Sequence, residues 1–419
     1  MPTRRALLGR AAYVVAVATV VLVPALLRSL VRGRRYRYRR LVYLVTRLGP
    51  TFVKAGQVLG TRRDVLPAAL CDELSVLQDN VPPLDTRQTA RALREAYPDP
   101  DAVFAEFDDV PVASGSVACV YRALLHSGRT VAVKLRRPGV ERLMTLDIAV
   151  ISTVAGVLAR LPVFRQLPVV DVVRHMGDAV LGQLDFAREA ASLQRLRANL
   201  AVVPRVIVPA VYPEASGPRC IVMEFIPDLD VDVARRCTRV ARRRFADSGL
   251  TAIYQMLFVD GFVHCDMHPG NLYFTERTQV VVLDAGFSVQ LSERLRRLFA
   301  EFFMNMSIGR GERCAEIVLE SAAGLGVDAD PVGFSTRMAD LVHRNYGVPA
   351  KDFSLMAFAT EMFDLQRRFG VHAAPELIFP LLSLLVIEGT VRDLDPDMDF
   401  QETAKPVLMR GLFGQRTAA

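Results

Sequence analysis

Two acidic residues, each at a fixed spacing from a second polar or small residue, constrain this chain more than any other feature. The segment His264-Cys265-Asp266-Met267-His268-Pro269-Gly270-Asn271 follows the apolar stretch Ile253–Phe258 and precedes the strand-like Leu272–Phe274. Thirteen residues after Asn271, the run Val280-Val281-Val282-Leu283 ends in Asp284-Ala285-Gly286. Asp284 and Asn271 offer hard oxygen donors of the kind Mg²⁺ prefers. A zinc pair of His264 and His268 would need a third and fourth ligand, and no such spacing is present. Turn capping is the ordinary role of a lone Asp at such positions. These two groups together with the upstream strand that ends in Lys134, in this order, outweigh that reading.

The Asp266-to-Asn271 interval equals the D-x-x-x-x-N of kinase catalytic loops, in which Asp orients the acceptor and Asn holds a metal ion. Asp284-x-Gly286 stands where D-F-G would follow. Upstream, the strand Val131-Ala132-Val133-Lys134 comes after a small-residue turn, Ala113-Ser114-Gly115-Ser116. Small residues let backbone N–H groups approach a phosphate, and a lysine beyond them neutralises it. V-A-V-K by itself is an ordinary core strand. Lysine is scarce here, however: Lys54, Lys134, Lys351 and Lys405 are the only four among 52 basic residues. A lysine kept against that arginine background serves where a compact ammonium is wanted.

Residues 40 to 98 read as helical, with turns at Gly49-Pro50 and Pro82-Pro83. Short β-type runs follow at Val110–Val112, Val117–Leu124 and Thr130–Leu135, with a hairpin connection at His126–Arg129. A helical stretch from Arg142 to Asn199 leads to strand-like Arg205–Val208 and Cys220–Phe225. From Arg239 onward the pattern is helical except at residues 272–274 and 280–283. A small sheet and a helix-rich half, joined near Ile226-Pro227-Asp228, predict an α+β chain of two lobes.

Charge is divided unevenly along the chain. Residues 1 to 63 hold 14 Lys/Arg and no acid, although the whole chain is only +7. Ala11–Leu27 is seventeen residues without a charge, about 25 Å as a helix against a hydrocarbon core of about 30 Å. Arginines flank it, more of them on the C-terminal side (Arg28 to Arg40), which predicts a membrane anchor with the body on the cytoplasmic side. Those arginines oppose translocation and so argue against a cleaved signal peptide. A helix packed on the body or lying in the interface is the main competing reading. No aromatic platform or base-reading motif accompanies the basic run, so nucleic acid is not an expected partner. Six scattered cysteines without a C-x-x-C pair indicate neither zinc nor a disulfide framework, and reduced thiols are the simplest account.

Several further stretches carry a resemblance. Leu48-Gly49-Pro50-Thr51-Phe52-Val53-Lys54-Ala55-Gly56-Gln57 contains K-x-G-Q, followed by Leu77-Gln78-Asp79-Asn80-Val81-Pro82-Pro83. Arg137-Pro138-Gly139-Val140 follows Lys134, Leu184-Asp185-Phe186-Ala187-Arg188-Glu189-Ala190 comes next, and Glu388–Pro396 closes the set. With the H-x-D-x-H-P-G-N loop, these make residues 40 to 410 similar to the UbiB/AarF family of atypical, protein-kinase-like proteins. The resemblance implies a protein-kinase-like two-lobe fold: an anchor over residues 1–40, a helical extension over 41–100, an N-lobe over 101–227 and a C-lobe over 228–419. It implies ATP and Mg²⁺ as cofactors. Lys134 would pair with Glu189 and the phosphates, and Ala113, Ser114, Gly115, Ser116 and Glu224 would contact the nucleotide. Asn271 and Asp284 would hold Mg²⁺, and Asp266 would act on the acceptor. Lys54 would reach over the site toward the segment containing Asp185. A membrane lipid or isoprenoid quinone precursor, and a membrane enzyme complex, are the implied partners.

The departures are Gly115 in a loop the family usually writes A-A-A-S, Cys119 where Gln usually stands, Gln183 in place of the acid of E-x-D, and Ala285 in place of Phe. All metal and phosphate groups remain. No A-P-E segment separates Gly286 from the helical pattern at Leu291–Met306, so a platform for a peptide substrate is not expected. ATP hydrolysis coupled to lipid handling, or phosphorylation of a small or lipid-like acceptor, is the preferred activity. The rival is a non-catalytic nucleotide-binding scaffold. An aminoglycoside- or choline-type phosphotransferase shares the H-x-D and D-x-G logic but lacks K-x-G-Q and the tail.

Overall fold

The computed structural model describes residues 3–61, 67–74, 77, 82–159, 169–229, 233–267, 270–349 and 351–414. His268, Pro269 and residues 78–81, which belong to two of the motifs, lie outside the described residues. The chain forms two compact units, Met1–Arg188 with Val211–Phe225, and Glu189–Ala210 with Ile226–Ala419.

The first unit opens with α1 (Arg4–Leu48), α2 (Pro50–Thr61), α3 (Ala68–Leu74) and α4 (Thr86–Ala96). Strands β1 (Phe104–Phe107), β2 (Ala113–Ser114), β3 (Ala118–Leu125) and β4 (Thr130–Arg136) follow, then α5 (Val140–Leu158) and α6 (Val169–Gly182). Next come α7 (Phe186–Leu200) and β5 (Val206–Ile207), and β6 (Cys220–Glu224) returns to the first unit. Its antiparallel sheet runs β1-β3-β4-β6, with β2 also on β3. The strand expected at Val110–Val112 is instead an exposed connection, and β1 lies earlier, at Phe104–Phe107. Four residues, F-A-E-F, joined to β3 through a bulge, are too short and irregular to show period-2 alternation.

A capping box of Asp85 and Gln88 starts α4, satisfying two of the N–H groups that a helix leaves open. The helix then seats Thr89 Oγ1 2.8 Å from the buried Tyr121 hydroxyl. Tyr97, Phe104, Tyr121, Val131, Val133 and Leu135 form the core beneath it. Burial pushes the Tyr121 phenol up to about 12, so it stays protonated at any physiological pH.

α1 is two helical segments meeting at Gly33, whose φ of 76° lies outside the helical range. Glycine takes that left-handed conformation without a Cβ penalty. The segments fold back on each other: Val14, Val17, Ala18, Val21 and Leu22 pack with Leu41, Leu44, Leu48 and Phe52. Arg10 secures the far end. Its Nη2 donates to Leu48 O at 2.8 Å and to Asp147 Oδ2 at 3.0 Å, its Nε donates to Oδ1, and Thr51 Oγ1 donates to Oδ2 at 2.6 Å. Asp147 is fully buried on α5. The opposite face of the first segment, with Leu8, Val15, Val20, Val23 and Leu26, is exposed. Arg4–Leu26 is long and apolar enough to cross a membrane.

The second unit continues with α8 (Val233–Arg236), α9 (Arg239–Tyr254) and a π-helical turn at Gln255–Asp260. Four short strands follow: β7 (Phe262–His264), β8 (Leu272–Phe274), β9 (Val280–Val282) and β10 (Ser288–Gln290). α10 (Glu293–Ser307), α11 (Gly311–Ser321), β11 (Gly324–Leu325), α12 (Pro331–Asn345) and α13 (Leu355–Arg368) come next. β12 (Val371–His372), α14 (Pro375–Leu394) and α15 (Phe400–Phe413) complete it. β7 pairs with β10, and β9 lies between β8 and β5. The rings of Tyr254, Phe258, Phe299 and Phe303 pack with centroids 5.2–6.0 Å apart in its interior.

The tail stretch Glu388–Pro396 has a structural task within this unit. The buried Glu388 carboxylate, on α14, accepts from the N–H groups of Leu355 and Met356 at 2.9 Å each, at the start of α13. Arg392 Nε donates to Glu388 at 3.1 Å, and Arg392 Nη2 reaches Phe353 O. A negative charge on two open N–H groups at a helix start is well placed. Glu388→Gln keeps the shape and removes the charge. It is expected to cost about 1.5 kcal/mol, read as a fall of roughly 3–6 °C in the melting temperature.

Candidate active site

In the first unit, the strand pairing places Lys134 in register with Val120 on β3 and Ile221 on β6. Its ammonium lies 5.5 Å from the centre of the Phe186 ring, a cation–π distance. Glu224, at the end of β6, pairs with Val131 and is half-buried. The small-residue segment is only partly a turn. Ala113 and Ser114 form β2 against Val120 and Cys119, and Gly115 N donates to Ala118 O at 2.9 Å. Ser114 Oγ sits 3.6 Å from Cys119 Sγ. Ser116 is 1% exposed, yet its hydroxyl has no hydrogen-bond partner. A buried hydroxyl left unsatisfied costs about 1–3 kcal/mol and calls for a ligand or water. Arg137 braces this segment, donating to Gly115 O and Ser114 Oγ at 2.8 Å each.

Lys54 is half-buried on α2, which packs on α5 and α6. α6 leads into Gln183-Leu184-Asp185. Asp185 is exposed and accepts from Arg188 N at 3.0 Å, so its carboxylate caps the start of α7.

In the second unit the Asp266 loop is tied to the strand that leads to Asp284. Asn271 Nδ2 donates to Asp266 O at 2.8 Å and to its Oδ2 at 3.3 Å, and Leu283 N donates to Asn271 O at 2.9 Å. The last contact ties the Asn end of the loop to the residue before Asp284. Asp284 has φ 52°, a left-handed conformation that Asp and Asn tolerate better than most residues. A methyl group at Gly286 would lie 3.2 Å from Asp284 Oδ1 and 3.3 Å from Glu189 Oε2. The buried Glu189 and the half-buried Asp284 therefore flank a glycine that leaves them room. Burial, and after it the Asp284 charge, push the Tyr273 phenol up.

His264 is the residue whose role the sequence concealed. It is fully buried, with Nε2 2.9 Å from Leu283 O and Nδ1 accepting from Asp266 N at 3.1 Å. A carbonyl on one side and an N–H on the other require the neutral tautomer with the proton on Nε2. The imidazole is a strut between the Asp266 loop and the approach to Asp284. Among the described residues, no group of three or more His, Cys, Asp or Glu is placed to hold a metal ion by itself. The loop is held from below as well, since Ser383 Oγ on α14 donates to His264 O at 2.8 Å. Six residues separate Gly286 from α10, and three of them form β10 against β7.

Comparison with known proteins agrees with this architecture. The profile of the ABC1 atypical kinase-like domain matches residues 76–318, and that of the UbiB helical domain matches residues 338–399. A probable protein kinase UbiB of Azotobacter vinelandii is 33% identical over 387 residues, covering 90% of this chain and 72% of that protein. A counterpart from Pseudomonas fluorescens SBW25 is 34% identical, covering 89% and 71%. Among solved structures, Rv3197 of Mycobacterium tuberculosis in complex with erythromycin aligns with a TM-score of 0.60. It is 22% identical, and the alignment covers 86% of this chain and 91% of that one. That likeness concerns the fold.

Proposed function

The chain belongs to the ABC1 atypical kinase-like family, and from that membership we propose that it binds Mg-ATP at a membrane surface and turns it over in support of isoprenoid quinone or lipid metabolism. The observation that carries this reading is the Asp266–Asn271–Asp284 set, strutted by a histidine with both ring nitrogens engaged. In the first unit, Lys134 and the segment Ala113–Ser116 are the phosphate-directed groups, with Glu224 at the base side. The unsatisfied Ser116 hydroxyl fits a phosphate oxygen as its missing partner. In the second unit, Asn271 and Asp284 would hold Mg²⁺, which neutralises charge on the transferring phosphoryl group when bound. Asp266 orients the acceptor or water, its position fixed by Asn271 and His264. Glu189 adds a buried carboxylate beside Gly286.

The six-residue link from Gly286 to α10 leaves no platform for a peptide strand, which favours water or a small, lipid-like acceptor. The exposed apolar face of Arg4–Leu26, followed by the arginines from Arg28 to Arg40, supports membrane attachment with the body on the cytoplasmic side. A scaffold role in a membrane enzyme complex is the alternative, favoured by Gln183 where the family has an acid.

The discriminating experiment measures ATP turnover by the full chain with and without anionic vesicles. Slow basal turnover, raised several-fold by the vesicles, is expected. Lys54→Ala and Gln183→Glu are expected to change the vesicle-stimulated rate more than nucleotide affinity. Tight ATP binding with no turnover dependent on Asp284, whatever the lipid, would establish the scaffold instead.

A further inference from the structure

A cavity of about 590 Å³ opens in the first unit between α4, the start of α5 and the first turn of α1. That volume lies within the range of small-molecule sites. Five guanidiniums line it, from Arg91, Arg136, Arg137, Arg142 and Arg219. Two carboxylates face them. Glu95 is shared between Arg91 at 2.9 Å and Arg219 at 2.7 Å, while Glu141 takes Arg136 at 2.9 Å. The partners of Arg137 are neutral: Gly115 O, Ser114 Oγ and Pro82 O, each at 2.8 Å. The formal charge of the lining is therefore +3. Because arginine is the default basic residue of this chain, the excess charge gathered around one cavity carries the inference, not the residue type.

We propose that this cavity is an anion site that takes a phosphomonoester or diphosphate group. Guanidinium forks match phosphate oxygens in paired hydrogen bonds, and the site presents more of them than its own carboxylates satisfy. Arg137 also gives the site an output. The guanidinium that lines the cavity holds Ser114 and Gly115, so an anion that draws Nη2 from Ser114 Oγ loosens that segment. This coupling, unlike the binding, rests on reading residues 113–116 as the nucleotide loop.

Isothermal titration of the full chain in detergent micelles with inorganic pyrophosphate, magnesium being chelated, tests the site. Saturable binding is expected, weakened about tenfold in Arg142→Gln and in Arg219→Gln. Arg142 is exposed and the Arg219 side chain is 44% exposed, so neither substitution threatens the fold. Phosphatidylcholine vesicles carrying phosphatidic acid separate the two sources of the group. Displacement of pyrophosphate by them identifies a lipid headgroup as the ligand, and persistence of pyrophosphate identifies a soluble phosphate. An absence of saturable binding overturns the site. So does binding that is lost in Lys134→Met and retained in both arginine variants. For the coupling, pyrophosphate is expected to weaken Mg-ADP affinity about fivefold in the wild type but not in Arg142→Gln. Intact cavity binding without that difference sinks the loop reading and leaves the site standing.

Discussion

Asp284→Asn is expected to lower Mg²⁺-dependent ATP hydrolysis by roughly 10³-fold while moving the melting temperature by no more than about 2 °C. The separation of the two effects follows from the backbone. Asp284 sits at φ 52°, and Asn is at least as comfortable there. The amide keeps an oxygen for Gly286 N, which now lies 3.4 Å from Asp284 Oδ1. What disappears is the negative charge expected to hold Mg²⁺ against the phosphates, and no carboxylate in the set other than Glu189 and Asp266 remains to replace it. Turnover assays at several Mg²⁺ concentrations, beside a thermal melt, decide the matter. A variant that hydrolyses ATP at the wild-type rate excludes Asp284 as the metal ligand.

The second large effect belongs to Arg10. Arg10→Leu leaves the fully buried Asp147 carboxylate with the Thr51 hydroxyl and no cation. Removing one partner of a buried pair costs about 3–5 kcal/mol. The loss is expected to appear locally, as release of the N-terminal segment from α5, and not as global unfolding. Limited trypsin digestion within the arginine-rich stretch 28–40 is expected to speed up at least tenfold. Leucine at both positions removes the orphaned charge, so the double variant is expected to recover much of the loss. Equal digestion of the wild type and Arg10→Leu would show that the clasp contributes nothing. The clasp also sets a choice for the whole anchor. A helix crossing a bilayer from residue 11 to 27 carries Arg10 to the opposite face, about 25 Å away. Arg10 cannot then reach Asp147, so spanning and clasping exclude each other.

Residues whose chemistry is local were legible before any fold was known. Asp266, Asn271 and Asp284 stood out as candidates because a short loop and a strand end fix their spacing whatever surrounds them. Lys134 was legible from a strand pattern and from lysine scarcity. His264 was not, because its role depends on a carbonyl nineteen residues away and an N–H two residues away, and neither leaves a mark in composition. The fold-back at Gly33 was equally hidden: a lone glycine among arginines reads as part of the basic flank of the anchor. Asp147 did leave a signal. It shares the buried stripe of α5 with Met144 and Val150, and an acid at such a position demands a partner. The partner lies 137 residues away, beyond the reach of any local pattern.

α14 carries two attachments on one rigid rod. Ser383 supports the carbonyl of His264, and Glu388 and Arg392 hold the start of α13. Five helical steps from Ser383 to Glu388 amount to about 7.5 Å of rise, and each step turns the rod by about 100°. One residue gained or lost in that interval would swing one attachment off its target while leaving the other in place. Substitutions along the stretch can therefore accumulate freely at positions that face solvent, while its length cannot drift. Between Ser383 and Glu388 only Val386 faces solvent, so among related chains this stretch should hold its count, with free variation confined to that position.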